Sequence, residues 1–369
     1  MRHILIWVTS AVLLAFIVAV LVGFIAYWRS TNDCDRNAGP PKNPMKAVRC
    51  CEYAAPLKVD YVEKPAPKDN QVLIKVRAAS LNFIDVALIP GPWVARLFFG
   101  LRKPSETRVG RDVAGEVEAV GREVTQFKPG DEVFGIGRGS LAEYACALER
   151  SLVIKPAKVT FEQAASIPLA GLTALQGLRK AGKIQPGEKI LINGATGGVG
   201  TFAVQIAKSF GAHVTAVCST HNVELVRSLG ADRVIDYTKE DFTKGDQRYD
   251  MIFDNVCNHS FSERRRVLTP KGICVLAGLG GIGVKQGQAI GRIAGNLFLA
   301  RGLSSFTDQK FVTFGTTVNK QDLALLGDLI QAGKVRPVIE RACKLDDVPE
   351  ALRVLEQGHA RGKTVITVE

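Results

Sequence analysis

The sequence predicts an α/β protein in which a compact β-rich domain is followed by a doubly wound parallel-sheet domain, the two preceded by one N-terminal transmembrane helix. Three observations carry this. Ile4 to Trp28 runs for about 25 residues without a charge, enough to cross a ~30 Å hydrocarbon core as a helix. Between Lys189 and Ala277, short β-branched runs alternate with helical stretches, as the βαβ units of a parallel sheet require. Where that alternation begins, Asn193-Gly194-Ala195-Thr196-Gly197-Gly198-Val199-Gly200 follows the apolar Ile190-Leu191-Ile192 and opens the helical stretch Phe202 to Phe210.

Residues 1–29 read as a retained anchor. A cleaved signal peptide has a shorter apolar core, roughly 7–15 residues, and a small-x-small site after it, whereas Tyr27-Trp28-Arg29 closes the run here. Trp7 at one end and Tyr27 with Trp28 at the other suit the two membrane interfaces. Arg29, Arg36, Lys42, Lys46 and Arg49 outnumber Arg2 and the amino terminus. The positive-inside rule therefore gives a single-pass membrane protein with its large part facing the cytoplasm. Residues 30–44, with Gly39-Pro40-Pro41 and Pro44, read as an extended linker.

The 369 residues, 46% of them hydrophobic, are enough for two cores. A net charge of +12 suits an anionic membrane face. There is no arginine-rich tract or base-reading module, so no nucleic-acid partner is expected. The eight cysteines include no Cys-x-x-Cys pair and indicate neither a zinc ribbon nor a disulfide framework. Cys146, Cys218 and Cys274 lie in apolar runs and read as core residues of a protein in a reducing compartment. Cys34 reads as a surface thiol or, so near the membrane boundary, an acylation site.

From Met45 the signals are strand-like: Val72 to Val76, Asp112 to Val120, Glu132 to Phe134 and Leu152 to Ile154, punctuated by Gly121, Pro129-Gly130 and Gly135 to Gly139. Phe161 to Leu178 reads as helix and leads into the strands of the second domain: Ile190 to Ile192, His213 to Val217, Val234-Ile235, Met251 to Phe253 and Ile273 to Leu276. Gly287 to Leu303 has the pattern of an amphipathic helix, with core packing as its first use and a partner subunit, the substrate cleft or the membrane as others. A strand at Phe311 to Thr316, helices at Gln321 to Ala332 and Val348 to Glu356, and a strand at Thr364 to Val368 complete the chain.

The glycine cluster is a candidate dinucleotide site. Glycines at a strand-to-helix junction let the chain turn sharply and let backbone N–H groups approach a pyrophosphate, whose charge the helix N-terminus favours. Asn255-Val256 and Gly278-Leu279-Gly280 each follow an apolar strand on the face where such ligands bind, and are expected beside the ribose and nicotinamide.

Several strings together resemble the medium-chain dehydrogenase/reductase superfamily, specifically its zinc-free quinone-oxidoreductase branch: Ser80-Leu81-Asn82-Phe83-Ile84-Asp85, Gly110-Arg111-Asp112-Val113-Ala114-Gly115, Gln126-Phe127-Lys128-Pro129-Gly130-Asp131, Leu169-Ala170-Gly171-Leu172-Thr173-Ala174, and the glycine cluster. The resemblance covers Met45 to Glu369. It implies a GroES-like catalytic domain at 45–168, a Rossmann NADP-binding domain at 169–310, a return at 311–369 that completes the first domain, and a homodimer. It also puts the Asn82 amide and the Thr173 hydroxyl beside the nicotinamide, and Tyr237 alongside the adenosine.

Departures from the zinc-dependent branch shape the expected chemistry. That branch has a cysteine where this chain has Asn82 and Gly-His-Glu where it has Gly110-Arg111-Asp112, and it carries a four-cysteine lobe that is missing here. A catalytic zinc needs three protein ligands, so no metal is expected. Some relatives carry a tyrosine at the position of Ala87; without it, solvent is the expected proton source. After the second strand, Cys218-Ser219-Thr220-His221-Asn222 holds no carboxylate to bond a ribose 2′-hydroxyl or repel a 2′-phosphate. NADPH is therefore expected over NADH, with Ser219, Thr220 and Asn222 on the phosphate.

The full cofactor set is Asn82, Thr173, Ala195, Thr196, Gly197, Gly198, Val199, Gly200, Ser219, Thr220, Asn222, Tyr237, Asn255, Val256, Gly278, Leu279 and Gly280. The expected function is zinc-independent hydride transfer from NADPH to a quinone, an α,β-unsaturated carbonyl or a related activated carbonyl. Pro90-Gly91-Pro92-Trp93 and Leu97-Phe98-Phe99, in the loop Ile89 to Pro104, point to a small apolar substrate. A membrane-anchored NADPH-binding interaction protein of weak turnover and a zinc-type alcohol dehydrogenase are the alternatives.

Overall fold

The computed structural model describes Cys34 and residues 40–91, 96, 100–278, 308–358 and 360–368. The first domain is built from β1 (Pro44–Arg49), β2 (Lys58–Glu63), β3 (Gln71–Ser80), β4 (Asp112–Val120), β5 (Glu132–Ile136), β6 (Tyr144–Leu148) and β7 (Leu152–Ile154). The parallel sheet comprises β8 (Lys189–Asn193), β9 (His213–Cys218), β10 (Arg233–Asp236), β11 (Tyr249–Asp254), β12 (Leu268–Leu276) and β13 (Lys310–Thr313). After it come β14 (Ile339–Lys344) and β15 (Lys363–Thr367). The intervening helices are α1 (Phe83–Leu88), α2 (Phe161–Ala165), α3 (Pro168–Gln176), α4 (Gly198–Ser209), α5 (Val223–Ser228), α6 (Phe261–Arg266), α7 (Lys320–Gln331) and α8 (Val348–Glu356).

The six-stranded sheet runs β10-β9-β8-β11-β12-β13, every pair parallel. Strand order reverses between β8 and β11, so their carboxyl ends flank the crevice where doubly wound sheets bind dinucleotides. The strands are buried on both faces, as Ile190, Leu191, Ile192, Ile252 and Phe253 illustrate, which explains why they read as continuous apolar runs. Lys310–Thr313 pairs with β12, so the parallel sheet takes up residues that the sequence assigns to the return at 311–369. The return itself supplies β14 and β15 to a seven-stranded sheet, where β15 lies antiparallel to β3.

The expected helix Phe161 to Leu178 is two helices. Thr160 caps the first, its Oγ1 accepting from Gln163 N at 3.2 Å while its own N–H donates to Gln163 Oε1 at 3.1 Å. Pro168 opens the second at a first-turn position, where a missing N–H costs nothing. Ala78, Ala114 and Phe134 of the antiparallel sheet share one buried cluster with Ile190, Phe202 and Phe253 of the other domain, so a continuous core backs the crevice.

Among the described residues no helix is long and apolar enough to cross a membrane. The expected anchor at 1–29 lies outside the described residues, as do most of the linker, Leu279, Gly280, Gly287 to Leu303, and Trp93 and Leu97 to Phe99 of the expected substrate loop.

The reading of Cys34 is also corrected. Cys34 is neither a surface thiol nor an acylation site; it forms a disulfide with Cys51. The reason lies in the Cys50-Cys51 pair. β1 ends at Arg49 and Cys50 turns into the core, while Cys51 is half-buried and meets the linker.

Candidate active site

Asn193 at the end of β8 lies in register with Asp254 at the end of β11. The chain then turns at Gly194, with φ of 77°, where an added Cβ would stand 2.8 Å from Val256 Cγ2. Ala195 N–H donates to Val217 O at 3.1 Å and draws the loop toward β9. Gly200 packs directly on Gly194, since a Cβ there would fall 2.1 Å from Gly194 O. Gly197 begins α4 with no side chain capping it. The first N–H groups of the helix therefore face the crevice, with Thr196, Gly198 and Val199 half-buried around them.

Asp254 organises the opposite lip from below. Its Oδ1 accepts Asn193 Nδ2 at 2.8 Å, Val256 N at 3.1 Å and Cys257 N at 2.8 Å, and its Oδ2 accepts Arg264 Nε at 2.7 Å. Asp254 and Arg264 are both fully buried, so this ion pair is a fixed post beneath Asn255-Val256. Gly278 brings the β12 exit against Asn255, whose carbonyl oxygen would lie 1.9 Å from an added Cβ. Asn255 Nδ2 is buried and has no hydrogen-bond partner among the described residues. A polar ligand atom in the crevice would satisfy it, and an orphaned donor otherwise costs on the order of 1–3 kcal/mol.

At the end of β9, Ser219 Oγ accepts Asn222 Nδ2 at 3.0 Å and keeps its own proton to donate, while Asn222 Oδ1 is buried without a partner among the described residues. Thr220 differs from expectation because its hydroxyl donates to Asp236 Oδ2 at 2.6 Å. Asp236 comes from the neighbouring strand and also accepts Thr238 Oγ1 at 2.8 Å and Thr238 N at 3.1 Å. These bonds, that from Thr220 foremost, pull its carboxyl down to about 2. A carboxylate thus stands under the loop although the loop itself holds none, with Lys239 Nζ 3.4 Å away. Tyr237, 58% exposed, extends beside it with a free ring face.

On the first-domain side, a buried polar knot surrounds Asn82. Its Nδ2 donates to Asp112 Oδ2 at 2.9 Å and to Ser80 O at 3.4 Å, and its Oδ1 accepts Lys363 Nζ at 2.6 Å. Lys363 also donates to Leu81 O at 2.9 Å and lies 3.3 Å from Asp112 Oδ2, which further accepts the Ser80 hydroxyl at 2.9 Å. Asp112 Oδ1 accepts Leu169 N at 3.0 Å in the first turn of α3. One turn on, Thr173 Oγ1 donates to Leu169 O at 2.7 Å and meets Thr316 Oγ1 at 2.9 Å.

Lys363 connects this knot to the glycine loop. Its Cδ would lie 2.9 Å from a Cβ on Gly198, and the preceding Gly362 forms a β-bridge with Gly197. Beyond α1 a cleft of about 390 Å³ opens, lined by Asp85, Ile89, Tyr53, Arg108, Arg111 and Arg138 among others.

This architecture has known counterparts. The alcohol dehydrogenase GroES-like domain family matches residues 68–157, and the zinc-binding dehydrogenase family matches residues 229–366. The chain is 37% identical over 331 residues to the mouse NAD(P)H oxidoreductase RTN4IP1, mitochondrial, covering 81% of this chain and 82% of that one. It belongs to the medium-chain dehydrogenase/reductase superfamily. The tomato 2-methylene-furan-3-one reductase is also 37% identical, over 87% of this chain and 79% of its own. The quinone oxidoreductase from Coxiella burnetii superposes with a TM-score of 0.74 at 31% identity, over 89% of this chain and all of the other. The protein is an oxidoreductase of the NAD(P)H-dependent kind.

In this oxidoreductase the structure gathers the glycine loop, Asn255, Val256 and Gly278 around one crevice, and places Asn82 and Thr173 on two arms of the Asp112 knot. Ser219, Thr220, Asn222 and Tyr237 lie farther along, past β9 and β10. Sequence reasoning missed Lys363, Asp254 and Arg264. The available signals were a lone cation opening the apolar strand Thr364 to Val368 and an aspartate closing Met251 to Phe253.

Proposed function

We propose that the enzyme delivers hydride from NADPH to a quinone, an α,β-unsaturated carbonyl or a related activated carbonyl, without zinc, while held to a membrane by residues 1–29. The observation that carries this reading is Lys363, whose stem passes Gly198 and whose ammonium group holds Asn82. One side chain thereby joins the pyrophosphate cradle to the buried Asn82–Asp112 knot.

Bound NADPH supplies hydride at nicotinamide C4. The glycine loop and the α4 N-terminus bind its pyrophosphate, and Asn255 Nδ2 gains the partner it lacks. Asn82 and Thr173 stand beside the ring. Asn82's weakest bond, to Ser80 O at 3.4 Å, releases an N–H that polarises the acceptor's oxygen. Solvent returns a proton to the adjacent carbon, so enone, NADPH and one proton give saturated ketone and NADP⁺. Ala87 has no proton to give.

Donor chemistry supports the absence of zinc. Where the zinc branch offers thiolate and imidazole, this chain offers the Asn82 amide, the Arg111 guanidinium and the Asp112 carboxylate. The amide and the carboxylate already hold the ammonium of Lys363. A guanidinium is no ligand, and the remaining oxygens fall short of the three that a catalytic zinc takes. The Ser219 hydroxyl and the carboxylate-free loop favour NADPH over NADH, while Asp236 beneath keeps that preference modest.

The anchor rests on Ile4 to Trp28, and the cations that follow orient the catalytic part toward the cytoplasm; the Cys34–Cys51 disulfide weighs against that side.

The test is NADPH and NADH oxidation by the full chain in detergent, with a panel of quinones, enones and aldehydes, alongside metal analysis. Turnover of quinones or enones with NADPH by zinc-free protein is expected. Failure to bind NADPH, or turnover only with stoichiometric zinc, would overturn the reading.

A further inference from the structure

The cleft beside Asn82 carries more positive charge than its own residues balance. Arg108 pairs with Glu106, Nε to Oε1, at 3.4 Å. Arg111, half-buried at the entry to β4, and Arg138, exposed, line the same cleft, and neither makes a salt bridge among the described residues, although the charge of Arg111 reaches Asp85. The other acid in the wall, Asp85, is buried and hydrogen-bonded to Asn82 N at 2.8 Å. Desolvation pushes its carboxyl up to about 7, so near neutral pH it carries only part of one negative charge against the arginines. Elsewhere in the wall, Ile89 and Val109 are apolar, the Tyr53 hydroxyl is bound to Gly100 O at 2.8 Å, and Ser105 is exposed.

A guanidinium without a salt-bridged carboxylate attracts an oxyanion, which it binds through two parallel N–H donors. The arginines lie on a wall that begins one helical turn from Asn82. An acceptor of amphiphilic shape therefore fits, with its reacting double bond at the Asn82 end and its acidic end at the arginines. We propose that the physiological acceptor carries an acidic group, a carboxylate or a phosphate, which Arg111 and Arg138 bind while the activated alkene lies at the Asn82 end of the cleft. This rests on the reductase reading above and adds the substrate's second functional group.

The test uses matched pairs with the full chain and NADPH: an enone carboxylic acid against its methyl ester, and an enone phosphate monoester against the parent alcohol. In at least one pair the acidic member is expected to have a kcat/KM about tenfold or more above its neutral partner. The better pair identifies the group. Arg138→Met and Arg111→Met should each cut that ratio by about tenfold, and raising the salt from about 50 to 500 mM should shrink it in the wild type. Arg138 is exposed, so its variant folds and keeps the test sharp if the Arg111 variant does not. Equal kcat/KM within both pairs, or ratios unmoved by Arg138→Met, would overturn the proposal. If no enone is reduced, the reductase reading fails separately. Calorimetric binding of the saturated acid and the saturated phosphate to NADPH-loaded protein then decides this one, and no saturable binding of either, or binding indifferent to Arg138→Met, would refute it.

Discussion

Asp85 shows how one buried side chain ties pH to the state of the site. It sits in the first turn of α1 with its Oδ2 on Asn82 N at 2.8 Å, and burial raises its carboxyl to about 7. The Asn82 N–H and the charges of Lys363 and Arg111 pull the value down, while Asp112 pushes it up. In the unfolded chain an aspartate releases its proton near 3.9. Above that pH the native state still binds a proton that the unfolded state has lost. The associated stability is therefore complete below about pH 4 and is lost as pH rises through about 7. Asp85→Asn keeps an oxygen for the Asn82 N–H and removes the charge. At pH 8 it should be more stable than wild type by on the order of 1–3 kcal/mol, the gain shrinking toward pH 4. Urea unfolding at the two pH values measures this. A gain of the same size at both would mean that the carboxyl does not titrate as the geometry requires.

At the scale of elements, the strand-to-helix junction has the least freedom. A Cβ on Gly200 would meet Gly194 O at 2.1 Å and Ala195 Cα at 2.8 Å, both backbone atoms that cannot step aside, whereas on Gly197 it would find only Gly194 O at 3.9 Å. Gly200→Ala should therefore lower stability by on the order of 2–4 kcal/mol, and Gly197→Ala by under about 1 kcal/mol, in thermal unfolding without cofactor. Equal costs would show that the glycines serve the ligand rather than the turn. This junction was legible in the sequence because its requirements are local: an apolar strand, glycines at the turn, a helix after it. β4, β7 and α8 were read with their observed bounds for the same reason. Lys363 was not legible, because its partners Leu81, Asn82 and Asp112 lie more than 250 residues away and nothing local distinguishes it from a lysine at the start of any strand. The break at Pro168 was visible as a proline, yet apolar periodicity across it outweighed the missing donor. Asp236 was missed because it reaches the loop after β9 from the next strand, a contact that register creates and sequence distance hides.

For the whole molecule, the proposed anchor at 1–29 raises the question of which side of a membrane the catalytic part would work on, and two physical signals oppose each other. Five cations follow the apolar run within the stretch where the positive-inside rule acts, which favours the cytoplasm. The Cys34–Cys51 disulfide ties the linker to the end of β1, and such bonds persist in oxidising compartments and are rare in reducing ones. The remaining thiols do not arbitrate: Cys50, Cys146, Cys218, Cys257 and Cys274 are buried and Cys343 is half-buried, and desolvation raises all six toward the unreactive protonated form on either side. The Cys34–Cys51 pair is thus the chemical reporter of compartment. With the bond closed, alkylation in denaturant of protein quenched directly from cells should modify six cysteines, rising to eight after reduction. The catalytic part should then resist protease added to the cytoplasmic face of sealed membranes until detergent is present. Eight modified cysteines before reduction, with immediate proteolysis, would mean that the flanking cations set the topology and that the pair stands open in the cell.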